Sequence, residues 1–245
     1  MVTPLSRAAK ANRLLAALPA EILERILPHL KLGPLKTRQV LQPRGKKPAE
    51  AVFPVDGVAS MVSMGDSGEA VEVATIGCEG LVGLPLFLGG ERAAVEVFVQ
   101  VPGEGLYLPA EEFKSHVERE PAFLRTLLLY TQALLTQVAQ CSACNVYHSN
   151  QARCARWLLQ THDRVKGDVF PLTQEFLSLM LGVRRATVTA IAGELQKRQF
   201  IRYHRGVIAV LDRKGLESAA CECYRLINGE YDRLFGAARK RVRER

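Results

Sequence analysis

The period of the apolar positions changes several times along the chain, and each change marks a different kind of element. Over residues 12–32, Leu14, Leu15, Leu18, Ile22, Leu23, Ile26, Leu27 and Leu30 fall at helical spacing, interrupted by Pro19 and Pro28. That spacing predicts short helices packed on something larger. From about Val40 to Leu108 the period drops to two, in short runs separated by Gly, Pro, Asp and Ser, which predicts an antiparallel sandwich or small barrel of jelly-roll type. Residues 79–90, EGLVGLPLFLGG, break this alternation with four glycines and a proline. Either the backbone approaches a ligand there, or the stretch is a connecting turn with a short helix capping the barrel.

Helical periodicity resumes over residues 110–149. A heptad fits residues 121–148, with Leu124, Thr131, Val138 and Asn145 at one core position and Leu127, Leu134, Cys141 and His148 at the other. Few charges interrupt it, so a helix buried against its twin in a parallel homodimer is expected, with Leu124, Leu127, Thr131, Leu134, Val138 and Cys141 in the interface. Residues 150–166 continue as a helix with Ala155, Trp157, Leu158 and Leu159 inward.

In residues 172–211, Phe176, Leu177, Met180 and Leu181 make one apolar face, and Val188, Ile191 and Leu195 make another. Thr173 is placed as an N-cap, Gly182 supplies the turn, and Val183 plugs the angle between the helices. The alternating segment FIRYHRGVIAVL turns at His204-Arg205-Gly206. Helix, turn, helix and hairpin make a winged helix-turn-helix, whose second helix enters the DNA major groove. The candidate DNA-contacting residues are Thr173, Gln174, Arg184, Arg185, Ala186, Thr187, Thr189, Gln196, Arg202, His204 and Arg205. An Arg at the helix start can fork onto guanine O6 and N7. After the wing, Asp212 starts a last helix with Leu216, Ala220, Cys223, Ile227, Tyr231 and Leu234 on one stripe, and residues 239–245 form a basic tail.

Charge strengthens the DNA reading. Residues 150–245 hold 19 Lys and Arg against 10 Asp and Glu, so the net charge of +8 resides in the half with the helix-turn-helix. No apolar run reaches the ~20 residues of a membrane span, and a cytoplasmic protein with no membrane partner is expected. No histidine lies within residues 40–108 and no nucleophile motif is present, which sets a jelly-roll enzyme behind a regulator, and no catalysis is expected. Cys141, Cys144 and His148 share a helix face, with Cys154 soon after. A redox- or metal-responsive regulator acting through Cys141, Cys144 and Cys154 is the alternative reading. Helical spacing is not that of a zinc knuckle, so no metal or cluster is expected, and Cys221 and Cys223, two apart on a helix, would face different directions.

The order of parts, together with LTQEFLSLMLGVRRATVTAIAGELQKRQFIRYHRG, resembles the Crp/Fnr family of bacterial transcription regulators. The resemblance implies an α+β protein with a cyclic-nucleotide-binding-like β-roll over residues 1–118, a dimerisation helix over 119–149, and a winged helix-turn-helix domain with its C-terminal helix over 150–245. It implies a homodimer on a two-fold-symmetric operator, with RNA polymerase as a further partner. Arg185 matches the family's guanine-reading Arg; Ala186 stands where well-known members carry an acidic base reader. Gly83, Leu84, Arg92 and Ala93 match the nucleotide cassette, but Leu84 replaces the Glu that accepts the ribose hydroxyl, so a cyclic nucleotide is not the expected effector. Residues 1–77 lack the N-terminal cysteines of the oxygen-sensing branch. The stretch Cys221 to Tyr224 echoes a subgroup whose signal is not known.

Overall fold

The computed structural model describes residues 3–65, 70–90 and 92–236; the basic tail lies outside them. Three short helices, α1 (Pro4–Ala11), α2 (Arg13–Ala16) and α3 (Ala20–Ile26), open the chain. Proline at residues 19 and 28 interrupts the pattern as expected: Pro19 is the N-cap of α3, and Pro28 lies in a 3-10 turn. Seven antiparallel strands follow: β1 (Lys31–Leu35), β2 (Val40–Gln42), β3 (Glu50–Pro54), β4 (Val58–Met64), β5 (Ala70–Ile76), β6 (Glu96–Val101) and β7 (Gly103–Pro109). They form two sheets, β1-β7-β3 and β2-β6-β4-β5. Phe53, Val97, Val99, Leu106 and Leu108 are buried in the same core as Leu81 and Leu86 of the connecting turn.

Beyond the β-roll run α4 (Ala110–Arg119) and the 27-residue α5 (Pro121–Tyr147). One face of α5 belongs to its own chain: Phe123, Leu127, Tyr130, Leu134, Gln137 and Cys141 are buried. The Tyr130 hydroxyl donates to Leu81 O at 2.9 Å, and Gln137 Nε2 donates to Thr75 O at 3.0 Å. Gly80 lies so close to the Tyr130 ring that a Cβ there would come within 2.3 Å of it.

Half of the face expected to form a dimer seam is turned inward. Leu127, Leu134 and Cys141 are filled from within the chain, and only Leu124, Thr131 and Val138 flank the open side. The open side itself carries Leu128, Leu135, Ala139, Ser142 and Val146, a register one residue further on, with Leu135 64% exposed and Leu134 3%.

Helix α6 (Asn150–His162), strand β8 (Val169–Pro171), α7 (Gln174–Leu181), α8 (Arg185–Lys197), the hairpin β9 (Ile201–His204) and β10 (Val207–Val210), and α9 (Arg213–Ala219) build the C-terminal domain. The last helix, α10 (Cys223–Phe235), is separate from α9 and leaves this domain. Ile227 and Tyr231 enter the core of the roll and α5, Tyr231 donates to Gln137 Oε1 at 3.1 Å, and Arg13 pairs with Asp232 at 2.8 Å. The expected domain boundary is therefore moved: α10 is part of the N-terminal core. The break lets the chain turn back onto α5, which a continuous helix would carry it past.

The C-terminal domain is docked on the β4-β5-β6 sheet. Phe98 and Phe176 meet edge-on at 6.0 Å. Arg164 and Glu79, both buried, form an ion pair with Nε–Oε1 and Nη2–Oε1 distances of 2.9 Å; removing one partner of such a pair costs ~3–5 kcal/mol. Trp157 Nε1 donates to Glu72 Oε1 at 2.7 Å. Ser60 Oγ lies 2.7 Å from Glu72 Oε2 and 2.6 Å from Gln100 Oε1. One hydroxyl proton cannot serve both acceptors. With Glu72 protonated the chain closes: the carboxyl donates to Ser60, and Ser60 donates to Gln100.

Burial pushes the Glu72 carboxyl up to about 7 from an ordinary 4.5. In that interval the folded chain holds a proton that the unfolded chain has released, so this group's contribution to stability is full below the lower value and falls as pH rises through the upper one. Glu72→Gln, which mimics the protonated acid, is expected to match the wild type in urea unfolding at about pH 5. At about pH 8 it should be more stable by about 2 kcal/mol; parallel pH profiles would contradict this.

Candidate functional site

Helices α7 and α8 cross at 107°, within the range of helix-turn-helix motifs. The crossing is set locally. Thr173 Oγ1 accepts the Phe176 amide at 3.1 Å and caps α7. Gly182 ends α7 in the left-handed region at φ 63°, ψ 39°, where a side chain would be strained. Leu177, Met180, Leu181, Val188, Ile191 and Leu195 form the core beneath, with Val183 packed against it. Arg184 is the N-cap of α8, outside the helix proper, and Arg185 is its first residue.

Arg184, Arg185, Ala186 and Thr189 are exposed along the start and outer face of α8. Among the described residues neither Arg184 nor Arg185 has a side-chain hydrogen bond or ion pair. Thr187 is half-buried. The Thr189 hydroxyl proton is engaged within the fold, with Oγ1 2.9 Å from Gln174 Oε1 and 3.1 Å from Arg185 O; the oxygen can still accept. Gln196 also differs from the expected base reader: its Oε1 accepts the Tyr203 amide at 2.8 Å and ties the wing to α8. The wing turns at Arg205 and Gly206, with φ of 46° and 77°, and presents Arg202, His204 and Arg205 to solvent. Strand β8, too short to announce itself in sequence, pairs with β10 and makes the wing sheet three-stranded.

The nucleotide cassette does not fit a bound nucleotide. Gly83 and Leu84 lead into a 3-10 turn, Leu84–Leu86, against the roll core. The Ala93 amide donates to Lys46 O at 3.0 Å and its carbonyl accepts from Gly45 at 2.8 Å. The backbone donor a phosphate would take is therefore used by the neighbouring loop, while Arg92 is exposed. A cleft of about 820 Å³ lies elsewhere, between the roll and the DNA-binding domain, lined in part by Arg38, Val71, Phe176 and Arg184.

The thiols sort differently from the expectation. Cys154 is buried in the core of the DNA-binding domain, and burial pushes it up to about 12. Cys141 is buried beneath α5, and burial raises it too. Neither joins Cys144. Cys144, His148, Cys221 and Cys223 instead converge, their ligand atoms all within 4.8 Å of one another. The hydrogen bond from Cys221 and the Arg156 guanidinium hold the Cys144 thiol well below its usual range, and the same bond pushes Cys221 up.

Residues 152–219 match a family model, the Crp-like helix-turn-helix domain. The chain carries a Crp-like helix-turn-helix domain. Solved structures extend the likeness in fold to most of its length. FixK2 from Bradyrhizobium japonicum aligns with a TM-score of 0.66 at 13% identity, covering 78% of this chain and 98% of that one. A Crp/Fnr-family transcriptional regulator from Thermus thermophilus aligns at 0.62 and 22%, covering 78% and 98%. The c-di-GMP-responsive global regulator CLP of Xanthomonas campestris aligns at 0.61 and 15%, covering 78% and 99%. No curated protein matches the chain. The fold these solved structures share, a β-roll, a long helix and a helix-turn-helix domain, is that of this chain. No single helix among the described residues is long and apolar enough to cross a membrane.

Gln196→Ala should leave α8 intact and free the Tyr203 amide. The Tyr203 amide is expected to lose hydrogen-exchange protection while the amide of Leu195, buried beneath α8, keeps its own; unchanged protection at Tyr203 would break the tie between helix and wing.

Proposed function

We propose that the protein is a homodimeric, sequence-specific DNA-binding transcription regulator of the Crp/Fnr type, working in the cytoplasm and without catalytic activity. The observation that carries this is the uncommitted Arg185 side chain on the first turn of α8, in a Crp-like domain whose flanking cations are exposed. A guanidinium there can fork onto guanine O6 and N7 while Arg184, Arg202 and Arg205 meet phosphates. Ala186 offers the neighbouring base only a methyl group, so its preference differs from that of relatives with an acidic reader.

The two-fold partner is a second copy of the chain, packed along the open side of α5. Leu135, Ala139, Ser142 and Val146 follow one another at spacings of four, three and four, with Leu128 one heptad before Leu135, the seam of a coiled coil. Leu128 is 50% exposed and Val146 76%. RNA polymerase is the expected further partner, and the effector is a ligand other than a cyclic nucleotide.

For DNA fragments selected from a random pool, Arg185→Ala is expected to lower specific affinity by ~1–3 kcal/mol with little change on unrelated DNA. Equal losses on both would take Arg185 out of base reading. Two adjacent leucines test the seam. Leu135→Glu should give a folded monomer by light scattering with weakened operator binding, whereas Leu134→Ala should destabilise the fold by ~2–5 kcal/mol. A Leu135→Glu protein that remains a dimer sinks the seam.

A further inference from the structure

We propose that Cys144, His148, Cys221 and Cys223 form a site for one thiophilic divalent cation of the zinc class, built on the two segments that join the DNA-binding domain to the rest of the chain. The distances suit a single ion. Cys144 Sγ lies 3.4 Å from Cys221 Sγ, and Cys223 Sγ lies 3.5 Å from His148 Nδ1. With metal–sulfur bonds of about 2.3 Å and metal–nitrogen bonds of about 2.0 Å, a tetrahedron has edges of about 3.5–3.8 Å. The group is too tight to span an iron–sulfur cube, whose thiolates sit at opposite corners.

The surroundings are arranged as those of a metal site are. His148 turns Nε2 to Glu222 Oε1 at 3.1 Å, leaving Nδ1 facing the thiols, the carboxylate–histidine arrangement that orients a metal-bound imidazole. Gln140 Nε2 donates to Cys223 Sγ at 3.1 Å. The three cysteines are buried and His148 is partly so, and four protein ligands leave no open position on a tetrahedral ion, as in structural sites. Arg153 and Arg156 are also buried, and among the described residues neither has a carboxylate within ion-pair distance and the Nε of each lacks a partner. Buried cations call for anions. Three thiolates around a dication leave one net negative charge for the guanidiniums to offset; the thiol protons leave on binding.

Location gives the site its consequence. His148 is the C-cap of α5, and Ser149 caps α6, which enters the DNA-binding domain. Cys221 and Cys223 follow α9 and begin α10, where the chain returns. One ion therefore bonds the entry segment to the exit segment, and its loss removes a tie common to both. Metal occupancy then biases the orientation of the two recognition helices, a coupling that rests on the DNA-binding reading; the site itself does not.

The test is titration of reduced, metal-free full-length protein with cobalt(II), alongside metal analysis of protein isolated from zinc-supplemented cells. Tetrahedral ligand-field bands with thiolate charge transfer, saturating at one cobalt per chain and displaced by zinc, are expected. Cys144→Ser and Cys221→Ser should abolish them, and Cys154→Ser should not. Glu222→Gln, which keeps all four ligands, should weaken cobalt binding ~10–100-fold. A wild-type spectrum without thiolate charge transfer, or one unchanged in Cys144→Ser and Cys221→Ser, overturns the site. Fragments selected from genomic DNA then test the coupling. Different affinities of metal-free and zinc-loaded protein support it, and equal affinities refute it while leaving the site standing; failure to bind any DNA in either form refutes the regulator reading instead.

Discussion

The inward face of α5 is the surface on which the other parts converge. Leu127, Tyr130, Leu134 and Gln137 meet the β-roll on one side and Ile227 and Tyr231 of α10 on the other. Tyr130 and Gln137 add directional hydrogen bonds to the apolar contact, so the rotation of α5 about its axis is set as well as its position. That rotation determines which residues are left outside. The exposed leucines and the placement of Cys144 and His148 at its far end are consequences of it.

This constraint also explains which parts were legible in sequence. The helix-turn-helix was readable because each of its determinants is local: Thr173 caps within three residues, Gly182 reverses within one, and the wing turn is completed by Gly206. The alternating strands of the roll were readable for the same reason. On α5 the pattern is ambiguous, because Leu127 and Leu128, and again Leu134 and Leu135, are adjacent apolar pairs. A heptad fits either member, and only tertiary packing chooses the first of each pair for the core. The thiol cluster was illegible because Cys144 and Cys221 are 77 residues apart. Helical geometry would turn Cys221 and Cys223 apart, yet Cys221 lies in the break before α10, where residues two apart can face the same point.

The roll and the helix-turn-helix domain share more than a linker. Trp157 and Arg164 of the C-terminal half reach into the roll at Glu72 and Glu79, and Phe176 of the helix-turn-helix sits on Phe98. These contacts mix apolar area with buried polar groups that need their partners, so separating the halves uncovers both. The roll surface opposite α7 thus has two tasks, to close its own sheet and to hold the reading domain at an angle. Substitutions at Glu72 or Glu79 therefore bear on stability and on the placement of the helix-turn-helix together.

The return of α10 to the N-terminal core orders events in time. A ribosome makes residues 223–235 only after the whole DNA-binding domain, so the surface that Ile227 and Tyr231 cover stays uncovered while helices α6 to α9 emerge. The helix-turn-helix domain, whose core residues from Cys154 to Leu216 pack on Val58, Val62 and Val101 of the roll, has all its parts made before α10, and the core of the roll and α5 closes last. A nascent chain stalled before α10 presents the helix-turn-helix domain attached to a roll whose core is still open.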